Sequence, residues 1–221
     1  MDKHSKQEML DFWGMLQHRS GIPNFTDNPT YWQNEQGNGK EPLKFALDLP
    51  ANFKPDKGYE YSNTNYLLLC RIMDNVLGYT HNEYIKEEIL KPLKHNNTFF
   101  LLNEVNLDDV MSGYYVGYEK DFKNNEYGML ATASDVGKFL RTLNDGSLFD
   151  EGEQEIYSSI YVYNHGGLVV GYQSFAEYYK DIDTVVVQFI NTTNFDDYEW
   201  NLSEIIINRI VKILRNQKSS T

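Results

Sequence analysis

Cysteine is almost missing from this chain: Cys70 is the one example in 221 residues. An internal disulfide is excluded, and no pair of thiols is available to hold a metal. Cys70 falls on the apolar face of an expected helix and reads as a small core residue rather than a nucleophile. Long apolar runs are absent too, and none approaches the ~18 residues of a membrane-spanning helix. The first eight residues, from Met1 to Glu8, are polar and lack the apolar centre of a signal peptide. The chain as written is therefore expected to be soluble and not exported. Basic charge is scarce: 20 Lys and Arg face 32 Asp and Glu, a net charge of −12. That balance disfavours nucleic acid and anionic membrane surfaces as partners. His4, His18, His81, His95 and His165 are scattered, with no His-Glu-x-x-His and no Cys/His pair, and no Gly-x-x-x-x-Gly-Lys loop occurs. Neither a metal nor another cofactor is expected.

Aromatic residues are plentiful by contrast, with 17 Tyr and 12 Phe. Such side chains suit half-buried strands and cleft walls, where a ring packs and a hydroxyl stays wet. The length is sufficient for one domain with a real core. Met9, Leu10, Phe12, Trp13 and Leu16 have helical spacing over residues 7–17, and Gly21 and Pro23 end that helix. Residues 26–58 read as loop with a short helical piece. After Asn63, an apolar stripe runs from Tyr66 to Leu77 and is closed by Gly78. Thr80 with Glu83 fits a capping box for a second helix over His81–Leu90, ended by Pro92. Short strands are expected around Asn97–Leu101 and Gly113–Tyr118. A helix then follows Ser134, a candidate N-cap, and stops at Gly146. The last third is rich in Val, Ile, Phe and Tyr, with strands expected at Tyr161–Tyr163, Leu168–Tyr179 and Thr184–Asn191. The latter two form a hairpin through Lys180–Asp183. A final helix over Tyr198–Arg215 is expected to pack on the sheet through Leu202, Ile205, Ile206, Ile210, Val211 and Leu214. The fold class is thus α+β: an antiparallel sheet and C-terminal helix over about 156–216, beside a helical part over about 7–145.

Four segments carry a more specific signal. They are Met15–Phe25 with its Ser20-Gly21-Ile22-Pro23; Tyr61-Ser62-Asn63 with the following helix and Ile89–Leu93; Met129–Val136; and His165-Gly166-Gly167 before two strands. In this order they resemble the serine β-lactamase-like family, which includes class C β-lactamases, D,D-peptidases and related esterases. The resemblance spans nearly the whole chain and implies the β-lactamase/transpeptidase-like fold. It further implies acyl transfer, in which a serine attacks an amide, ester or β-lactam carbonyl. Tyr61 would move the nucleophile's proton and Asn63 would bond the substrate amide. His165, Gly166 and Gly167 would form the third motif, with the backbone N–H of Leu168 as an oxyanion donor.

The family's Ser-x-x-Lys nucleophile motif is not found: no serine here is followed by lysine at the third position. In the family that motif lies some tens of residues before the Ser-Gly-Ile-Pro stretch, whereas 19 residues precede Ser20. A Gly-x-Ser-x-Gly elbow is absent as well. Simple structural roles stand beside the functional ones: Tyr61 as a turn residue, Asn63 as a helix N-cap, His165 as an exposed residue in a bulge. The expectation is the C-terminal portion of a serine hydrolase, inactive as written, acting on a small-molecule or peptide substrate. The rival is a non-catalytic binding protein for a peptide or cell-wall fragment. Apolar surface left open would serve a complementing N-terminal segment or self-association.

Overall fold

The computed structural model describes residues 12–28, 30–31, 41–47, 49–125, 128–150, 152–160, 165–195 and 199–219. The strand expected at Tyr161–Tyr163 and the first part of the helix expected from Gln7 lie outside them, while residues 12–16 are helical. The helices with defined bounds are α1 (Leu43–Leu47), α2 (Asn63–Leu77), α3 (His81–Ile85), α4 (Ala133–Asp145), α5 (Glu153–Ile160) and α6 (Glu199–Lys218). The strands are β1 (Thr98–Phe99), β2 (Tyr114–Tyr115), β3 (Leu130–Ala131), β4 (His165–Val169), β5 (Tyr172–Tyr179), β6 (Thr184–Ile190) and β7 (Thr192–Thr193). Contacts divide the chain into two compact units: Met1–Tyr84 with Glu155–Tyr161, and Ile85–Gln154 with Val162–Thr221. No helix among the described residues is long and apolar enough to cross a membrane.

In the first unit α2 is the organising element. Ser62 enters it in an extended conformation, and Gly78 leaves it at φ 75°, donating its N–H to the carbonyl of Asp74. A glycine takes that left-handed position without a Cβ clash. Thr64, Asn65 and Leu69 are its buried face. The capping box at α3 forms in both directions: Glu83 Oε2 accepts from Thr80 N at 3.2 Å, and Thr80 Oγ1 accepts from Glu83 N at 3.3 Å. Beyond Ile85 the same helix continues as one π-helical turn, Lys86–Leu90.

The second unit is built on an antiparallel sheet ordered β4-β5-β6. The apolar run expected as one strand over Leu168–Tyr179 is two strands, because Val170 and Gly171 turn the chain with Gly171 at φ 90°. The Lys180–Asp183 link joins β5 to β6 as expected. Helix α4, grouped with the helical part in the sequence reading, packs on β5 and β6. Its N-cap is Thr132, whose hydroxyl accepts from Asp135 N at 3.3 Å, so Ser134 lies inside the first turn and is not the cap. On the other sheet face Phe175, Ile182, Val186, Ile207 and Val211 form the core, with Tyr179 and Leu214 against them. Helix α6 is therefore rotated from expectation. Ser203, Ile207 and Val211 are buried, whereas Leu202, Ile205, Ile206 and Ile210 are exposed. Two further pairings, β1 with β3 and β2 with β7, are short.

Candidate functional site

Tyr61 and Asn63 meet at the start of α2. The Tyr61 hydroxyl donates to Asn63 Oδ1 at 3.2 Å. Asn63 is not the N-cap; Ser62 is, and Asn63 is the first helical residue. Its backbone N–H donates to Asn24 Oδ1 at 3.2 Å and its Nδ2 donates to the same oxygen at 3.3 Å. One Asn24 side chain thus satisfies an orphan N–H of the helix start and fixes which way the Asn63 amide faces. The amide oxygen is left directed at the phenol.

His18 supports the same junction from below. It is 4% exposed and sits at φ 55°, a left-handed conformation that His adopts more readily than most residues. Its Nδ1 accepts from Ser62 N at 3.1 Å and lies 3.4 Å from Asn65 Nδ2. An accepting Nδ1 requires the neutral ring to carry its proton on Nε2. The imidazole packs on the Tyr61 ring at 4.5 Å between centroids, with Tyr66 at 5.3 Å. Asn65 Oδ1 in turn accepts from Ser20 Oγ at 2.7 Å, and Thr64 Oγ1 donates to Pro23 O at 2.8 Å. The Ser-Gly-Ile-Pro turn is therefore a brace bolted to the first turn of α2. Sequence reasoning singled out that stretch but gave His18 and Asn24 no task. Their position inside it was the available signal. The serine inside the motif, Ser62, is fully buried, and its Oγ has no hydrogen-bond partner among the described residues. Packed beneath the surface, it is poorly placed to attack anything.

His165, Gly166, Gly167 and Leu168 lie on β4, which belongs to the second unit, whereas Tyr61 and Asn63 belong to the first. The His165 side chain is not among the described groups. Among the described residues strand β4 ends the sheet, paired with β5 on one side. The pair Val169–Tyr172 closes a two-residue turn and must be hydrogen-bonded in both directions. Alternation then places Gly167 and His165 in bonded pairs with Ser174 and Ala176. The N–H and C=O groups of Gly166 and Leu168 face the open edge. An edge carrying two glycines and outward amides can take an extended chain by strand addition. A Cβ on Gly167 would come 2.6 Å from Ser174 Oγ, so the bare position also keeps β4 tight on β5.

A cavity of about 1240 Å³ lies wholly within this second unit, reaching Gly167 and Leu168 and walled by Ile89, Phe99, Met111 and Phe139. It exceeds the roughly 300–1,000 Å³ usual for small-molecule sites. Two buried polar atoms on residues lining it, His95 Nε2 and Gln173 Nε2, have no hydrogen-bond partner among the described residues. Burial holds the His95 imidazole below its ordinary pKa, with Lys138 adding to the effect and Asp135 opposing it. Asp135 is structural: it is 2% exposed and accepts from Asn97 N at 2.9 Å and Thr98 Oγ1 at 3.2 Å. No group of three His, Cys, Asp or Glu that could hold a metal occurs among the described residues.

The Beta-lactamase family model matches residues 15–159. Protein flp of Staphylococcus aureus (strain MW2) is 29% identical over 100 residues, 45% of this chain and 20% of that protein. Penicillin-binding protein 4* of Bacillus subtilis (strain 168) is 26% identical over 119 residues, 51% of this chain and 26% of its own. The matches with these curated relatives thus take in a quarter or so of their length. Among solved structures, D-amino acid amidase from Ochrobactrum anthropi SV3 complexed with D-phenylalanine superposes at a TM-score of 0.76 and 20% identity, over 91% of this chain and 77% of that one. The penicillin-binding protein from Bacillus halodurans gives a TM-score of 0.72 at 17% identity, over 88% of this chain and 70% of that one. These likenesses show a shared fold, mixed helix and sheet with small antiparallel sheets.

Proposed function

Because this chain belongs to the β-lactamase family, we propose that it is the C-terminal portion of a serine acyl-transfer hydrolase acting on an amide, ester or β-lactam. It would supply the proton-handling phenol, the substrate-binding carboxamide and the strand edge. A separate segment would supply the serine and lysine. The observation that carries the proposal is the Tyr61–Asn63 pair, joined at 3.2 Å and held from behind by Asn24 and His18. A turn residue and a chance N-cap would not need that much fixing. Asn63, moreover, is not a cap.

In this reading the substrate lies extended along β4, donating to and accepting from the outward groups of Gly166 and Leu168. Leu168 N–H meets the carbonyl oxygen where negative charge develops. Asn63 Nδ2 would bond the substrate amide and the Tyr61 hydroxyl would handle the proton, while His165 begins the strand. The phenol has an unperturbed pKa of about 10, so its work as a base requires the cation of the missing lysine nearby. Without the nucleophile the chain alone should be slower by several orders of magnitude. The amide substrate in the name of the D-amino acid amidase relative favours an amide over an ester.

A fluorescent penicillin tests the proposal. The chain alone should not be labelled. Addition of a family-derived segment carrying Ser-x-x-Lys should restore labelling, and Tyr61→Phe should then abolish it. Covalent labelling of the chain alone would refute the absence of a nucleophile. Reversible calorimetric binding of a D-Ala-D-Ala peptide, with no labelling under any complementation, would instead make it a binding protein.

A further inference from the structure

Asn24 makes more bonds than its local turn requires. Its local task is to cap the three-residue turn Phe25–Asp27, where its oxygen accepts from Thr26 N at 3.4 Å. Two shorter bonds to the same oxygen come from Asn63, one from the main chain at 3.2 Å and one from the side chain at 3.3 Å. Helix α2 has a capping residue of its own in Ser62, a preferred type for that position. Yet Ser62 makes no side-chain cap bond, and its Oγ has no partner among the described residues. The helix start is instead held by a side chain 39 positions away. A Ser62 cap would satisfy backbone donors of the first turn and leave the Asn63 carboxamide free to turn. Asn24 holds backbone and carboxamide through one atom, and at 7% exposure it does so away from water.

A carboxamide has an acceptor at one end and a donor at the other, so its orientation decides what it can bind. At Asn24 the orientation is forced. The backbone N–H groups of Thr26 and Asn63 both point at one of its atoms, which must be the oxygen, and its Nδ2 donates to Asp27 Oδ1 at 3.3 Å. A backbone N–H cannot become an acceptor, and a carboxylate only accepts. The Asn63 atom facing the Asn24 oxygen is therefore nitrogen, and the Asn63 oxygen takes the proton of the Tyr61 hydroxyl. Polarity thus runs one way, from Asp27 through Asn24 and Asn63 to Tyr61. One Nδ2 proton of Asn63 goes to Asn24. The other has no acceptor among the described residues, and Asn63 is only half-buried.

We infer that Asn24 is a positioning residue for the acyl-transfer site, holding the Asn63 carboxamide so that one N–H is offered to substrate while the oxygen stays on the phenol. What that N–H serves rests on the hydrolase proposal above, whereas the geometry belongs to the first unit alone. The substrate group that meets Asn63 is then an acceptor, a carbonyl oxygen and not an N–H. Reversing the amide would set two amide oxygens against each other and give the phenol a donor in place of an acceptor. Asn24 opposes that reversal from behind, by the cost of an unpaired buried acceptor. It acts through Asn63 and not on the reacting atoms.

Nuclear magnetic resonance of the Asn63 side-chain amide in the chain alone tests the geometry, with its signals assigned by their loss in Asn63→Ala. Asn24→Leu should speed solvent exchange of the bonded Nδ2 proton roughly two- to tenfold. Asn24→Asp combined with Asp27→Asn keeps an acceptor toward Asn63 with a donor behind it, and should return the parent rate. Tyr61→Phe keeps the ring and should leave the exchange of both Nδ2 protons unchanged, because the phenol bonds the amide oxygen. This arm reads the orientation without touching Asn24, so it decides even where Asn24→Leu does not fold. The consequence for substrate is read in the chain complemented with the Ser-x-x-Lys segment. There Asn24→Leu should raise the penicillin concentration for half-maximal labelling rate several-fold, and should add nothing in an Asn63→Ala background. A purely structural Asn24 would lower the folded fraction without moving that concentration. Exchange unchanged in Asn24→Leu, Nδ2 exchange altered by Tyr61→Phe, or a half-maximal concentration equal to the parent's would each overturn the inference. No labelling of the complemented parent would refute the hydrolase proposal instead, while the exchange rates still show whether Asn24 holds the amide.

Discussion

Replacing His18 by Phe isolates what the imidazole does beneath the Tyr61–Asn63 junction. The ring contacts to Tyr61 and Tyr66 survive, because a phenyl fills nearly the same slot. The acceptor is lost. Ser62, fully buried, would then have no Nδ1 to receive its backbone N–H, which now donates at 3.1 Å. A buried donor left unpaired costs about 1–3 kcal/mol. The contact of Asn65 Nδ2 at 3.4 Å is at the limit of a hydrogen bond and adds little. Position 18 also sits at φ 55°, where an ordinary side chain costs about 1 kcal/mol or more. The expected loss is about 2–4 kcal/mol, and a chain of this size loses roughly 2–4 °C of Tm per kcal/mol. Urea unfolding followed by circular dichroism gives the number directly. Tyr61→Phe is the comparator: its ring is 49% exposed and it gives up a 3.2 Å surface bond, so it should cost under about 1 kcal/mol. If His18→Phe unfolds within about 0.5 kcal/mol of the parent, the imidazole is not the prop described above.

Two further expectations concern the second unit. Gly171→Ala forces a side chain onto φ 90° and brings Cβ to 3.1 Å from Phe122 Cβ and 3.2 Å from the Gly113 backbone. Thermal unfolding should show a loss of about 1–3 kcal/mol, whereas Gly152→Ala, at φ 91° with nothing within 4 Å, should show the smaller backbone cost alone. The pH dependence should carry the signature of His95, whose folded pKa is depressed by burial and Lys138 against the pull of Asp135. With the unfolded imidazole titrating near about 6.5, the unfolded chain binds the proton first. Stability is then full above that pH and falls as pH drops toward the folded value. His95→Gln should flatten that slope between neutral and mildly acidic pH in unfolding titrations, and an unchanged slope would assign it to another group.

The parts of the fold legible in the sequence are those whose chemistry is local. Gly78 and Gly146 end α2 and α4 in left-handed conformations because no neighbour is needed to make glycine suitable there. The Thr80–Glu83 box is likewise complete within four residues. The N-terminus of α4 was not readable in this way. Thr132 and Ser134 are both good caps, and the choice is made at long range: Asp135 must reach back to Asn97 and Thr98, which fixes the register at Thr132. The candidate site divides similarly. Two-residue spacing suffices to bring Tyr61 to Asn63, but Asn24 enters only because the Ser20–Phe25 turn folds onto α2 some forty positions later.

Helix α6 shows why periodicity alone could not orient it. The helix carries two apolar stripes, one through Leu202, Ile206 and Ile210 and one through Ser203, Ile207 and Val211, and the first is the more hydrophobic. The second is buried. Gln173 supplies the reason: it is 3% exposed on the face of the sheet that α6 covers, and its Oε1 accepts from Ser203 Oγ at 2.6 Å. Turning the richer stripe inward would remove that hydroxyl and leave the Gln173 carbonyl facing Leu or Ile. A buried acceptor without a donor costs about 1–3 kcal/mol, comparable with what fully burying one more Leu or Ile would contribute. Small Ser203 also lets the helix backbone come close enough for Gln188 to reach its carbonyl. Polar satisfaction, not apolar content, therefore sets the rotation of α6.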